Sequence, residues 1–148
     1  MRYVFSTRDE HTKHYRFPTH TNDLVLDRAD AETSEVFIVV LEEGEAPPPH
    51  KHNDTEQVFY ILEGQGHLLI EADAACEVSP GDVVRIPPGT RHAVAAQNGP
   101  LRYLAVDCFM GRRPHAEPSW EAHVEVMCQE NGWDLKSILA AADEKLKR

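Results

Sequence analysis

The sequence has no long apolar run, either internally or behind its N-terminus. A membrane-spanning helix needs roughly 18 consecutive apolar residues, and no stretch of this chain approaches that length. The N-terminal segment becomes charged at Arg8, before the apolar core of a signal peptide has begun. We therefore expect a cytoplasmic protein with no membrane partner.

Positive charge is also scarce. The chain has 15 lysine and arginine residues against 25 aspartate and glutamate residues, which gives a formal net charge of −10. A protein of this sign is repelled by the phosphate backbone, so nucleic-acid binding is not expected. A small-molecule ligand suits this charge better.

Cysteine is too rare for a disulfide framework or a thiolate zinc site. The three cysteines, Cys76, Cys108 and Cys128, are an odd number without a C-x-x-C spacing, and we expect buried, reduced thiols. The sequence also lacks the glycine patterns of a P-loop or a dinucleotide-binding fold, and it has no ordered serine, histidine and aspartate triad. Nucleotide hydrolysis, nicotinamide chemistry and acyl transfer therefore have no support.

The length of 148 residues fits a single domain, 1–148, whose central part consists of short β-branched runs. Glycine, proline or aspartate bounds each run, and no helical segment separates them. The runs cover 35–41, 58–62, 67–70, 83–86, 92–95 and 101–106. Short strands joined by turns predict an all-β antiparallel sandwich or barrel, with its core at about 34–108.

The two ends of the chain differ from this core. Residues 1–33 begin polar and predict an N-terminal arm or an edge strand outside the core. Residues 118–148 predict a helical tail, because Asp134 can cap a helix in which apolar residues recur at helical spacing. These residues are Leu135, Ile138, Leu139, Ala142 and Leu146. We expect this C-terminal helix to pack on the outside of the barrel or on a partner subunit.

The pattern that carries chemistry begins with His50 and His52. On a strand, side chains at i and i+2 project from one face, so both imidazoles can reach one metal ion at about 2.0–2.1 Å. The pair alone is weak evidence, because two exposed histidines on one strand face are common. A second segment strengthens it by supplying His92, shortly after a turn at Pro88 and Gly89.

Together the two segments resemble the cupin family. The first family motif, G-x5-H-x-H-x3,4-E-x6-G, is matched by Gly44, His50, His52 and Gly64. The second, G-x5-P-x-G-x2-H-x3-N, is matched by Gly81, Pro87, Gly89 and His92, with Ala96 in place of the asparagine. The resemblance covers about 36–106. It implies a double-sheet jelly roll, or double-stranded β-helix, that holds one divalent metal through His50, His52 and His92.

The fourth ligand is open between Gln57 and Glu56. Counting from His52 and back from Gly64 places Gln57 where the family usually has glutamate, whereas Glu56 satisfies only the shorter spacing from His52. Strand alternation puts the two side chains on opposite faces and does not choose between them. We favour Gln57, since only this register satisfies both spacings. An uncharged amide ligand would leave the full +2 charge on the ion.

The resemblance implies a metal-dependent enzyme. Iron, manganese, nickel, zinc and copper all suit an imidazole-rich site. We expect Lewis-acid chemistry of the isomerase or lyase type on a small oxygen-rich or carboxylated substrate. The alternatives are an iron-dependent dioxygenase and a non-catalytic cupin that binds a small ligand. The resemblance also implies a homodimer.

Two further residues are candidates for catalysis. Glu56 is one, if it is not a ligand, and Tyr60 is a weaker candidate for an acid or base. His67 is expected to face outward, because Leu68 and Ile70 occupy the opposite strand face. The histidines outside both motifs are expected at the surface. They are His11, His14, His20, His115 and His123.

Overall fold

The computed structural model describes residues 1–8, 12–71 and 74–145, and these ranges contain seven strands and three helices. The strands are β1 (His14–Arg16), β2 (Thr21–Leu26), β3 (Ser34–Leu41), β4 (Thr55–Ile70), β5 (Ala74–Val78), β6 (Val83–Ile86) and β7 (His92–Phe109). The helices are α1 (Arg28–Ala31), α2 (Trp120–Asn131) and α3 (Leu135–Lys145).

The strands form one antiparallel sheet that curls on itself. Its order is β1, β2, β3, β7, β4, β5, and β6 pairs with β4 beside the main path. The first part of β4 therefore lies between β6 and β7, and its second part lies between β5 and β7. The prediction of an all-β jelly-roll barrel followed by a helical C-terminus is confirmed.

Strands β4 and β7 each join two of the predicted runs into one bent strand. Residues 55–63 of β4 pair with 102–109 of β7, whereas 65–70 pair with 92–97. The bend falls at Gly64, which has a φ of +85°. A Cβ at this position would overlap the carbonyl oxygen of Pro100. Because only glycine fits this close approach without strain, the last residue of the first motif is needed for the corner of the barrel.

Alternation along each strand separates the inner face of the barrel wall from the outer face. On β4, Phe59 and Ile61 are buried, whereas Tyr60 between them is 45% exposed. The ring of Phe59 packs 4.9 Å from that of Tyr103 on β7. Burial of such aromatic and aliphatic side chains on one face supplies the main stabilisation of the barrel.

The N-terminal segment supplies the edge strand β1, one of the two alternatives expected, but it also contributes to the core, which was not expected. Strands β1 and β2 pair with each other and then with β3. Tyr15 and Phe17 are 2% and 0% exposed, and the ring of Phe17 packs 5.6 Å from that of Trp133. Only the placement outside the core was wrong, because these two aromatic residues are surrounded by polar ones in sequence and the residues that bury them come from the far end of the chain.

The C-terminal tail contains two helices. The predicted one, α3, packs against β1 and buries Ile138 and Ala142, while Leu146 lies outside the described residues. The other, α2, was not expected as a separate helix. It begins after Ser119, whose side chain accepts a hydrogen bond from the Ala122 amide at 3.1 Å. It ends at Gly132, whose φ of +70° suits a helix C-cap.

The three cysteines are all free, but they are not all buried. Cys128 is buried in α2, Cys108 is half-buried and Cys76 is exposed, so the expectation of a buried thiol was wrong for Cys76. None of the helices within the described ranges is long and apolar enough to cross a membrane.

Candidate metal centre

The three motif histidines meet at one end of the barrel. The backbone amide and carbonyl of His50 pair with those of His92 at 3.0 and 2.9 Å, which forms an isolated antiparallel bridge. The carbonyl of His52 accepts a hydrogen bond from the Gly89 amide at 2.7 Å. The two loops are thereby held side by side. The ring centres lie 4.4 Å apart for His50 and His92, and 5.0 Å apart for His50 and His52.

Each of these imidazoles is held in its neutral form. Burial and the neighbouring His92 lower the pKa of His50 to about 4. Burial and the nearby histidines lower the pKa of His52 to about 3, and burial also lowers the pKa of His92. At neutral pH all three rings therefore keep a nitrogen lone pair, which is the form that binds a metal.

Backbone carbonyls select which nitrogen carries that lone pair. The Nδ1 of His92 donates to the carbonyl oxygen of Thr90 at 2.9 Å, and the Nδ1 of His50 lies 3.3 Å from the carbonyl oxygen of Pro48. A proton on Nδ1 leaves Nε2 as the acceptor in both rings. The Nε2 of His92 is buried and has no hydrogen-bond partner among the described residues.

Gln57 and Glu56 lie on opposite faces of β4. Gln57 is 5% exposed and lines the cavity that the histidines also line. Its Nε2 donates to Oδ1 of Asp107 at 2.8 Å. This bond orients the amide so that Oε1 is left over, and Oε1 is buried without a partner in the described structure. Glu56 instead pairs with Arg85 at 2.9 Å on the outer face.

Behind Gln57 lies a buried chain of polar groups. Asp107 contacts Glu35, and Glu35 accepts two hydrogen bonds from Arg28, at 2.7 and 2.8 Å. Burial and the adjacent Glu35 raise the pKa of Asp107 well above its usual range. Burial also opposes ionisation of Glu35, but its hydrogen bonds with Asp107 and Arg28 outweigh this and lower its pKa. Ionisation is therefore less favourable at Asp107, which Gln57 contacts, than at Glu35.

The histidines open into a cavity of about 530 Å³. Phe37, Phe59 and Tyr103 from the barrel line one side, and Trp120 and Met127 from α2 line the other. Four buried side-chain atoms in the described part of the chain lack a hydrogen-bond partner. They are Asn22 Oδ1, Gln57 Oε1, His92 Nε2 and Trp120 Nε1, and all four residues line this cavity. Unpaired polar atoms that cluster in one cavity indicate a binding site.

Two histidines that were expected at the surface line the same cavity. His20 is 8% exposed and packs against Phe17, with ring centres 4.8 Å apart. His123 of α2 lies 6.2 Å from His52, measured between ring centres. The expectation of surface exposure was wrong for both, because no motif links them to the other histidines in sequence. A helical signal was present, since Trp120, Val124 and Cys128 recur every four residues and are all buried.

The remaining candidates lie elsewhere. Tyr60 is 45% exposed on the outer face of β4, and neither Tyr60 nor Glu56 lines the cavity. His115 is exposed, and His14 is hydrogen bonded to Asp23. His67 is half-buried, and His11 lies outside the described residues.

The side chains of His50, His52, His92 and Gln57 are of the kind that binds a metal ion, although they are not yet arranged around one common point. Across residues 1–8, 12–71 and 74–145, no three histidine, cysteine, aspartate or glutamate side chains already have the geometry of a metal site. However, two imidazoles that bind one ion at a right angle have ring centres about 4.5 Å apart. The observed separations of 4.4 and 5.0 Å are of this size. The unpaired Nε2 of His92 and Oε1 of Gln57 are the buried groups that such an ion would satisfy.

Comparisons with known proteins bear on the family and the fold. Residues 37–107 match the family model for the cupin domain. An uncharacterised protein of Methanocaldococcus jannaschii is 41% identical over 56 residues, which are 37% of this chain and 44% of that protein. Quercetin 2,3-dioxygenase of Bacillus subtilis is 32% identical over 76 residues, which are 49% of this chain and 22% of that enzyme. The match thus spans less than half the length of either relative.

A solved structure shows the same fold over more of the chain. KdgF from Halomonas sp. superposes with a TM-score of 0.64 at 20% identity, covering 78% of this chain and 97% of that one. Its likeness extends beyond the region matched by the family model. The motif residues, the curled antiparallel sheet and the family match together identify residues 37–107 as a cupin domain.

Proposed function

We propose that His50, His52, His92 and Gln57 bind one divalent transition metal and that the protein is an enzyme acting on a small oxygen-rich or carboxylated molecule. The observation that carries this proposal is the set of four buried, unpaired polar atoms around one cavity. Two of them, His92 Nε2 and Gln57 Oε1, are of the type that binds transition metals. The other two, on Asn22 and Trp120, remain to contact a bound molecule.

The charge of the donor set supports Lewis-acid chemistry. Three neutral imidazoles and an amide oxygen supply no negative charge, and burial and Glu35 raise the pKa of Asp107 behind Gln57, which disfavours a negative charge there. A metal in this set would polarise a substrate carbonyl and favour isomerase or lyase chemistry. Glu56 would have halved that charge, but it is engaged with Arg85 on the outer face.

The residues of the chain itself prepare the cavity for a substrate. Aromatic side chains from β3, β4 and β7 line it, and α2 adds Trp120 and Met127. Such apolar walls lower the local dielectric constant, which strengthens the polar contacts inside. The hydrogen bond from Gln57 to Asp107 fixes the amide and leaves its oxygen without a described partner in the cavity that the histidines also line, which supports its role as a preorganised donor.

An iron-dependent dioxygenase is the second candidate, and one observation favours it. The segment that matches quercetin 2,3-dioxygenase covers 49% of this chain. Oxygen consumption by iron-loaded protein with an enol or phenol substrate would support this alternative. Turnover by the zinc-loaded protein without oxygen uptake would support the isomerase or lyase proposal.

Removal of two histidines tests the metal site. We expect the His50→Ala/His92→Ala double variant to fold and to lose its metal, because the barrel forms the site without needing the ion. Elemental analysis of untagged protein measures the metal content, and circular dichroism measures folding. A His14→Ala/His115→Ala variant, with both changes outside the cavity, is the matched control. Undiminished metal in the folded double variant would contradict the assignment.

The fourth ligand has its own test. We expect Gln57→Ala to weaken metal retention more than Glu56→Ala, because only Gln57 lines the cavity. Dialysis against a chelator of graded strength ranks the two variants. The reverse order would return the ligand role to Glu56.

The homodimer implied by the family resemblance stays a prediction, which analytical ultracentrifugation checks.

A further inference from the structure

A hydrogen-bonded pair, His123 and Glu117, lies at the cavity outside the proposed metal ligands. The Nδ1 of His123 is 2.7 Å from Oε1 of Glu117. Both residues line the cavity, and their side chains are 20% and 23% exposed. The His123 ring centre is 6.2 Å from that of His52, so the pair borders the space that a substrate would occupy beside the metal.

The contact with Glu117 determines which nitrogen of the neutral His123 ring carries the proton. The hydrogen bond from His123 lowers the pKa of Glu117, which is therefore an ionised acceptor at neutral pH. A carboxylate beside Nδ1 favours the tautomer with its proton on Nδ1 and a lone pair on Nε2. No described residue forms a hydrogen bond with this Nε2. In the His123 ring, Nδ1 is therefore held by Glu117, and Nε2 has a lone pair that a ligand can use.

The pair is held by several contacts at the start of α2. The backbone carbonyl of Glu117 accepts a hydrogen bond from Arg28 at 3.2 Å. The backbone amide of Trp120 donates to Asp27 at 3.0 Å, and the Trp120 ring packs 4.8 Å from that of Phe37. His123 follows one helical turn after the Ser119 cap, to which its own amide donates at 3.1 Å. These contacts place the imidazole on a rigid element and not on a loose loop.

We propose that His123 is the general base and acid of the reaction, with Glu117 as the residue that positions it. This inference rests on the proposed function. In the forward step, the C–H bond next to a substrate carbonyl breaks and an N–H bond forms at Nε2, while the electron pair moves to the carbonyl oxygen. The imidazolium then returns the proton to a neighbouring atom of the substrate. The net change is an isomerisation, and no oxidant or reductant is required.

A role for His123 as a further metal ligand fits the structure less well. Three histidines and Gln57 already supply four donors, and Nδ1 of His123 is engaged with Glu117. The exposed position of His115, two residues before Glu117, provides a matched control for the loss of a histidine in the same segment.

The experiment measures proton exchange in the zinc-loaded protein. Pyruvate and dihydroxyacetone, one anionic and one neutral, are the probes, and proton NMR in D₂O follows the loss of the C–H signal next to the carbonyl. We expect wild-type protein to accelerate exchange in at least one probe, and His123→Gln to slow it by about 100-fold with unchanged zinc content. His115→Gln should match the wild type.

Glu117 is tested as a positioning residue by the tautomer of His123. Long-range proton–nitrogen NMR spectra of the zinc-loaded protein should show the proton on Nδ1 in the wild type. We expect this preference to be lost in Glu117→Ala and restored in Glu117→Gln, which keeps an acceptor oxygen. Exchange should fall in Glu117→Ala and recover in part in Glu117→Gln. A purely structural role of Glu117 would leave the tautomer unchanged.

Three results would overturn the inference. The first is exchange no faster with zinc-loaded wild type than with His123→Gln. The second is loss of zinc from His123→Gln, because this would make His123 a ligand. The third is a wild-type protein that binds no zinc or other divalent transition metal, which would overturn the proposed function as well. The first two leave the metal site intact as a proposal, so the two failures are distinguishable.

Discussion

The buried polar groups on the two sides of Gln57 differ in whether they have hydrogen-bond partners. Behind it, Asp107, Glu35 and Arg28 form a buried chain in which carboxyl, carboxylate and guanidinium groups contact one another. In front of it, Gln57 Oε1 and His92 Nε2 are buried without a described partner. Buried polar groups normally pair, because an unpaired one costs about 1–3 kcal/mol. The paired groups behind Gln57 stabilise the fold, whereas under the proposed function the unpaired atoms in front of it contact the metal.

The largest expected effect is on the paired side. Glu35→Ala leaves Arg28, which is 2% exposed, buried without its carboxylate. We expect the free energy of unfolding to fall by about 3–5 kcal/mol, as measured by urea titration. Glu56→Ala is the matched control, because it removes the carboxylate of a solvent-exposed arginine pair and should cost about 0–1 kcal/mol. Equal losses in the two variants would show that the buried chain does not stabilise the fold.

A carboxylate at position 57 should disturb both sides at once. Gln57→Glu replaces the amide donor with an oxygen that faces Asp107, where the present distance from nitrogen to oxygen is 2.8 Å. We expect the metal-free variant to lose about 1–3 kcal/mol of stability, because a buried hydrogen bond becomes a contact between acids. Excess zinc should recover part of this loss. Unchanged stability of the metal-free protein would contradict the hydrogen-bond assignment, and Glu56→Gln serves as the outer-face control.

Acidic pH should lower the free energy of unfolding through the histidines that line the cavity. Burial and the nearby His50 lower the pKa of His20 to about 4, against an ordinary value of 6.5. Between these pH values the unfolded chain binds a proton that the folded chain does not. The free energy of unfolding should therefore fall as the pH drops from 6.5 toward 4, by at most about 1.4 kcal/mol per pH unit for this residue.

The variant His20→Gln isolates this contribution. The fall in unfolding free energy between pH 7.5 and pH 5.5, measured by urea titration of metal-free protein, should be smaller in the variant than in the wild type. The lowered pKa values of His50 and His52 also make the free energy of unfolding fall with decreasing pH, and this contribution is present in both proteins. An identical fall in both would contradict the low pKa of His20, and His115→Gln is the exposed control.

The smallest expected effect on stability is that of removing the cavity histidine His52 from the metal-free protein. His52 is half-buried, and no hydrogen bond of its side chain to a described residue would be lost. We expect His52→Ala to change the metal-free stability by no more than about 1 kcal/mol. Added zinc should stabilise the wild type in proportion to its affinity and stabilise the variant less. A large loss in metal-free protein would mean that His52 supports the fold.

The strands and the histidine spacing were predictable because both depend on local order. Alternation of period two and the turn residues around it predicted β3 and β6 closely. Motif spacing favoured Gln57 over Glu56 as the fourth ligand, but strand alternation could not say which of the two side chains faces inward, since both faces of β4 carry apolar residues such as Phe59 and Val58. Pairing with β7 decides the inward face, because that register places Gln57 opposite the buried Asp107.

The pairing of distant segments explains what was missed. His20 comes from before β2 and His123 from α2, and no spacing rule connects either of them to His50. Tyr15 and Phe17 are likewise buried by elements near the other end of the chain. The contribution of α2 to the cavity lining depends on its packing against the barrel, through contacts such as Trp120 with Phe37, which the helical period of its own apolar residues does not reveal.

The sequence by itself determined an all-β fold and the meeting of three histidines, because strand period and motif spacing act over a few residues. Only the tertiary structure decided which face of β4 is inside, that Asp107 orients Gln57, and that His123 and Glu117 face the cavity. These depend on contacts between residues 50 or more positions apart along the chain in some cases, such as Gln57 and Asp107. Such contacts arise when the sheet curls and the C-terminal helices close over it.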